Sequence, residues 1–192
     1  MSKTDRILLI AYEYPPILSA QSIRWYYLTK ELNELGVAVD VLTINLYVDA
    51  ELSLPVENKG NVFRTFPGPF IGFSSALAKW KSKNTDQRPD LSFELEGKGL
   101  LNRIYCTLRS LIDFVFFPNV TIEWLFFAKK KLSTINLDNY DAIICSHEPA
   151  TSLLVPNKGD VMLIADLGDP IRTVYSPKWR DWLDKIFERK IY

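Results

Sequence analysis

Between Arg6 and Thr43 an apolar run, a proline-bearing loop, a stretch of helical periodicity and a second apolar run follow one another without a gap. Arg6-Ile-Leu-Leu-Ile-Ala11 is short, nearly unbroken and rich in β-forming residues, the pattern of a parallel strand covered on both faces. Tyr12-Glu-Tyr-Pro-Pro16 ends it, because the paired prolines remove two amide donors and push Tyr14 and Pro15 out of the helical region. Ser19 and Ser22 compete to cap the next segment, in which Trp25, Leu28, Leu32 and Leu35 recur at helical spacing until Gly36 stops it. Val37 to Thr43 reads as a second buried strand. Two parallel strands need a crossover of this kind, so the chain opens as a βαβ unit, with a ligand crevice expected at the loop after the first strand.

The remaining segments extend that pattern. Asn61 to Phe66 is a third strand, closed by Pro67-Gly-Pro69. A polar stretch over about 74–98 reads as a helix fragment around Leu77 and Trp80 followed by a mobile excursion. From Leu100, the spacing of Leu101, Ile104, Leu108, Leu111 and Val115 predicts a helix with Arg103 and Arg109 opposite, broken by Pro118. Thr121 to Ser133 is a second such helix, with Lys129 to Lys131 at the end its dipole favours for cations. Tyr140 to Cys145 reads as a strand, Thr151 opens a helical turn cut by Pro156, Val161 to Ala165 is a strand, and Pro177 to Tyr192 is helical. The order implies an α/β fold: one Rossmann-like domain with a five-strand, mostly parallel sheet flanked by helices.

With 192 residues, 47% of them hydrophobic and 13% aromatic, the chain can bury a full single-domain core. Its net charge is zero and no basic block is long enough to track a phosphate backbone, which argues against a nucleic-acid partner. Cys106 and Cys145 sit in apolar segments and read as reduced, buried thiols of a cytosolic protein. The apolar run behind Lys3 and Arg6 is too short for a signal peptide, and no run nears the roughly 20 apolar residues that span a bilayer. The expectation is a soluble or peripheral protein. One histidine and scattered carboxylates give no metal-ligand spacing.

In a parallel sheet the loops leaving the C-terminal edge build the site. Three carry polar groups: Tyr12 to Ser22, Ser146 to Thr151, and Asp166 to Pro170. A set of motifs runs through them in order: Arg6-Ile-Leu-Leu-Ile with Tyr14-Pro15-Pro16, Arg24 with the Leu28, Leu32, Gly36, Val39, Val41 frame, Asp141-Ala-Ile-Ile-Cys-Ser146, and Asp166-Leu-Gly-Asp169-Pro170. Over nearly the whole chain this resembles the N-terminal domain of family 4 glycosyltransferases, retaining enzymes of the GT-B fold. The resemblance implies that residues 1–192 form the acceptor-side half of such an enzyme, with the donor-binding domain outside this chain. It implies hexosyl transfer from a nucleotide sugar to a saccharide or lipid-linked acceptor in cell-surface polysaccharide synthesis. The nucleotide sugar is a co-substrate, and no cofactor is expected. The place implied is the cytoplasm, peripheral on the inner face of the membrane, and the isolated chain is expected to transfer little or nothing.

The resemblance also assigns residues. Where relatives hold a glycine pair against the donor diphosphate, this chain has Ser19, Ala20 and Ser22, which restrict backbone approach; a serine-capped helix start explains Ser22 equally well. His147 matches a histidine beside the donor sugar, where a neutral imidazole hydrogen-bonds a hydroxyl or steadies developing positive charge. Asp166 and Asp169 match an Asp-x-Arg-Asp-Pro-type sequence facing the acceptor, with Gly168 in place of the arginine; a turn or helix cap is the plainer role for such aspartates. His147 and Asp169 are the catalytic expectations, and Glu13, Arg24, Glu148 and Asp166 the acceptor-side ones; Arg24 either reaches an anionic group at the crevice or forms a surface pair.

Phe114, Phe116, Phe117, Trp124, Phe126 and Phe127 exceed what one helix pair needs for its core face, and they lie near Arg103, Arg109 and Lys129 to Lys131. Such a surface suits a membrane carrying a lipid-linked acceptor, with ordinary core packing as the alternative. A dinucleotide oxidoreductase would need Gly-x-Gly-x-x-Gly after the first strand, and Tyr12 to Ser22 contains no glycine. A nucleotide-sugar hydrolase or epimerase would need residues not seen in this sequence. A non-catalytic, partner- or membrane-binding Rossmann-like module remains the alternative function.

Overall fold

A computed structural model of the chain describes residues 5–46, 48, 53–73, 75–76, 120–156, 159, 161–168 and 181–191. The helix expected from Leu100, the residues Cys106, Phe114, Phe116, Phe117 and Asp169, and most of the polar stretch over 74–98 lie outside the described residues.

Five strands, β1 (Arg6–Ile10), β2 (Ala38–Ile44), β3 (Val62–Thr65), β4 (Ala142–Ser146) and β5 (Met162–Asp166), form one sheet in the order β3-β2-β1-β4-β5. Every pairing is parallel, so the sheet is all-parallel where the sequence suggested mostly parallel. Helices among the described residues that accompany it include α1 (Ala20–Glu34), α2 (Trp124–Leu132) and α3 (Asp181–Ile191). The architecture is α/β and consistent with a Rossmann-like fold. The strand order turns back at β1, which has β2 on one side and β4 on the other. That is the switch point at which a crevice opens in doubly wound sheets.

Alternation along β1 splits the interior into two cores. Leu8 and Ile10 join Leu42, Ile44, Ile143 and Cys145 beneath α2, where Trp124, Ala128 and Leu132 close the layer. Leu9 and Ala11 join Val39, Val41 and Tyr14 beneath Trp25 of α1. A strand that feeds both layers reads as an unbroken apolar run, the pattern found at residues 6–11.

The buried face of α1 differs from the expected leucine stripe. Ser22, Trp25, Thr29 and Asn33 are its buried residues, with Leu32 partly so, whereas Leu28 is 39% and Leu35 79% exposed. The polar members are held by partners no spacing rule encodes. Thr29 Oγ1 lies 3.1 Å from the Tyr14 hydroxyl, and Asn33 Nδ2 donates to Asn58 Oδ1 at 2.9 Å. Of the two candidate caps, Ser19 is the N-cap: its side chain accepts from the Ser22 amide. Past the helix, Gly36 takes φ 88°, the left-handed conformation glycine adopts at little cost.

At the N-terminal edge of the sheet the buried Asp40 carboxylate organises a network. It accepts from Arg6 (2.7 Å), the Tyr140 hydroxyl (2.6 Å) and the Asn61 amide (2.7 Å). Burial opposes its ionisation, but these donors together outweigh that and hold its carboxyl below the usual range. Gly60 fits against this network only because it lacks a side chain: a Cβ there would lie 2.0 Å from the Val39 carbonyl oxygen.

Candidate functional site

The C-terminal edge of the sheet brings the three polar loops together. The first is braced on three sides. Arg64 of β3 donates to the Pro15 carbonyl, Tyr14 reaches Thr29 of α1, and the Leu54 amide donates to the Pro16 carbonyl at 2.9 Å. The Arg64 guanidinium is half-withdrawn from water, which lowers its proton affinity from the ordinary value. This loop ends at Ser19, whose side chain takes the Ser22 amide and whose carbonyl takes that of Ile23, leaving the Ala20 and Gln21 amides at the helix start without an intrahelical acceptor. Glu13 sits half-buried in the same loop.

The second loop starts at the end of β4. His147 is buried there, and its amide donates to the Asp166 carbonyl at 2.9 Å, locking the ends of β4 and β5 together. The hydroxyl of Ser146, just before it, is buried with no hydrogen-bond partner among the described residues. The Ser22 hydroxyl on the first turn of α1 is in the same condition. Both cis peptide bonds among the described residues, Pro15-Pro16 and Glu148-Pro149, lie in these two loops.

Two side chains of α1 span the opening. Gln21 Nε2 donates to Glu148 Oε2 at 2.5 Å, and Arg24 grips both carboxylate oxygens of Asp166, at 2.5 and 2.6 Å. The bond to Asp166 raises the Arg24 proton affinity above its ordinary value, against the pull of desolvation. Gly168 completes the fit: a Cβ at that position would sit 3.1 Å from Glu148 Oε1 and 3.7 Å from Gln21 Nε2. The glycine that replaces an arginine of the resembling motif thus lies against the Gln21–Glu148 contact.

Of the expected site residues, Ser19, Ala20, Ser22, Arg24, His147, Glu148 and Asp166 line this edge, and Asp169 is outside the described residues. Arg24 and Asp166, both expected on the acceptor side, are partners of each other, so that Arg24 forms an ion pair within the chain. Gln21 and Arg64 were not singled out by the sequence, and Ser146 only as the end of a strand motif and the start of the second loop. Gln21 was within reach of it, because it lies three positions before Arg24 and a helix sets such positions on one face. The partners of Arg64 and the burial of Ser146 depend on strand order, which no local pattern carries.

The arrangement offers helix-start amides for an anion, two buried hydroxyls, and a buried imidazole at the end of β4. The described residues contain no group of three or more His, Cys, Asp or Glu side chains placed to hold a metal ion, and no described helix is long and apolar enough to cross a membrane. No protein-family model, no curated protein and no solved structure matches the chain.

Proposed function

We propose that the chain is the acceptor-side, N-terminal half of a retaining GT-B glycosyltransferase that moves a hexosyl group from a nucleotide sugar to a saccharide or lipid-linked acceptor. The observation that carries this reading is His147, buried at the end of β4 beside the switch point and tied through its amide to Asp166. Around it the division of labour follows from chemistry. Departure of a nucleoside diphosphate needs positive potential, which the α1 amides supply in part and a donor-binding domain supplies in the main. The imidazole meets a hydroxyl of the transferred sugar or the positive charge growing at the anomeric carbon. Arg24 and Gln21 fix Asp166 and Glu148, which shape the acceptor side, and Asp169 keeps the acceptor role the resemblance gives it. The setting proposed is the cytoplasmic face of the membrane, in cell-surface polysaccharide synthesis.

The test is calorimetric titration of uridine and guanosine diphosphate sugars into this chain and into a form extended through any downstream domain of its reading frame, followed by an assay of transfer. Binding and transfer by the extended form, with His147→Ala lowering kcat on the order of a hundredfold and leaving donor Kd unchanged, supports the reading. One observation favours the alternative of a non-catalytic binding module. Ser19 spends its hydroxyl capping α1, and Arg24 is neutralised by Asp166, so neither is left to meet a diphosphate. Absence of binding in both forms, with the fold intact, selects that module.

A further inference from the structure

A second surface lies outside the crevice, where β3 ends. Phe66, Phe70 and Phe73 follow the strand and are 48%, 50% and 71% exposed, and Phe126 on α2 is 68% exposed. They form a connected surface. The Phe66 and Phe127 rings meet edge-on at 5.1 Å, the Phe127 and Phe126 rings at 5.3 Å, and Gly72 lies against the Phe66 ring, where a Cβ would come within 2.6 Å of it. Beside the aromatics runs an open groove of about 300 Å³ lined by Thr65, Phe66, Phe127, Lys130, Lys131 and Thr134.

The charge that α2 brings to this face at its C-terminal end is positive. Lys129, Lys130 and Lys131 are consecutive, and no described carboxylate pairs with any of them. The Lys131 ammonium instead sits 4.9 Å from the centre of the Phe63 ring. Glu123, the acid at the head of α2, turns its two oxygens to the amides of Phe70 and Ile71, at 2.9 and 2.7 Å. In a chain of zero net charge this is a local cationic rim around exposed aromatic rings. Isolated exposed apolar side chains are ordinary, but a contiguous aromatic patch bordered by cations is the surface that meets an anionic lipid interface, rings entering the acyl boundary and ammonium groups meeting phosphates.

We propose that this face docks on membranes rich in anionic phospholipid. The patch leaves the sheet at the C-terminal end of β3, the edge on which the crevice loops also open, so docking holds the crevice beside the lipid surface. The docking stands on the surface alone. Only its purpose, access to a lipid-linked acceptor, rests on the transferase reading.

The test is flotation of the chain with vesicles of phosphatidylcholine, and of phosphatidylcholine mixed with an equal amount of phosphatidylglycerol. Binding to the mixed vesicles only, weakened by salt, is the expected result. The double variant Phe73→Ser/Phe126→Ser and the charge variant Lys129→Glu/Lys130→Glu change exposed positions and keep the native melting transition. Each is expected to cut the bound fraction about tenfold. The proposal is overturned if the chain does not float with anionic vesicles, or if both variants float like the parent. It is equally overturned if light scattering shows a dimer that Phe126→Ser dissolves while no vesicle binds. Vesicle binding without nucleotide-sugar binding retains the docking and removes the transferase reading, and the converse result separates the two in the other direction.

Discussion

Arg24 of α1 and Asp166 at the end of β5 are joined by a two-pronged ion pair, although 142 residues separate them in sequence. With the Gln21–Glu148 contact, the pair ties the first crossover helix to both strands on the far side of the switch point. The Arg24 side chain is 44% exposed, so the pair orders the crevice more than it stabilises the fold. A double-mutant cycle on Arg24→Gln and Asp166→Asn, read by urea unfolding, is expected to give a coupling of about 0.5–1 kcal/mol. A coupling indistinguishable from zero would show that the fork does not persist in solution.

The Asp40 network predicts a direction for pH dependence. Its donors favour the carboxylate, so the folded-state carboxyl titrates below its ordinary value of 3.8. A depressed acid contributes stability above that ordinary value and loses it as pH falls through the folded one. The urea midpoint should therefore drop between about pH 5 and pH 2. Asp40→Asn should lower stability by about 1–3 kcal/mol at neutral pH and flatten the acid slope. An unchanged slope in the variant would assign the acid sensitivity to other carboxylates.

Gly60 tests the same corner sterically. An alanine Cβ would meet the Val39 carbonyl oxygen at 2.0 Å and Asp40 Oδ1 at 2.8 Å, and backbone cannot yield as a side-chain tip can. Gly60→Ala is expected to cost on the order of 2–3 kcal/mol, measured as a lowered melting temperature. A variant as stable as the parent would mean that the turn relocates freely.

Trp124 is fully buried, meets the Tyr12 ring edge-on at 5.3 Å, and donates its indole N–H to Thr65 Oγ1 at 2.7 Å. Trp124→Ala should cost about 3–5 kcal/mol and Trp124→Phe, which loses mainly the hydrogen bond, about 1–2 kcal/mol. Equal losses in the two would locate the stabilisation in the indole N–H instead of the packing.

Burial pushes the Cys145 thiol up to about 12, which suppresses the reactive thiolate. In a Cys106→Ser background, a thiol-reactive dye at mildly alkaline pH should label Cys145 only as fast as the chain unfolds, and at once in urea. Rapid labelling in native buffer would contradict the burial.

How much was legible from sequence varies by element. The apolar run at 6–11 and the cap-to-glycine span from Ser19 to Gly36 located β1 and α1 within a residue or two, because two-sided burial and helix capping are local rules. The face of α1 was legible only in part. Trp25 was read correctly, but Leu28 and Leu35 point to solvent, since Thr29 and Asn33 are drawn inward by Tyr14 and Asn58 from other elements. For β5, an apolar Met-Leu-Ile-Ala segment suggests burial, yet Met162, Leu163 and Ile164 are 60%, 51% and 40% exposed on the sheet's edge. Edge position belongs to strand order and leaves no mark in a five-residue window.

The sequence by itself determined that this chain is α/β, which segments are strands, and that three polar loops meet at one edge, because periodicity, capping and proline are properties of neighbouring residues. Tertiary structure alone decided which of those polar groups are partners. Arg24 faces Asp166, Glu148 faces Gln21 with Gly168 against the contact, and Asp40 gathers Arg6, Asn61 and Tyr140, all across separations of 20 residues or more that only the sheet order closes. Hydrogen bonds and ion pairs act over a few ångströms. The identity of a site residue can therefore be read from its own segment, while its job is set by whatever the fold brings within that distance.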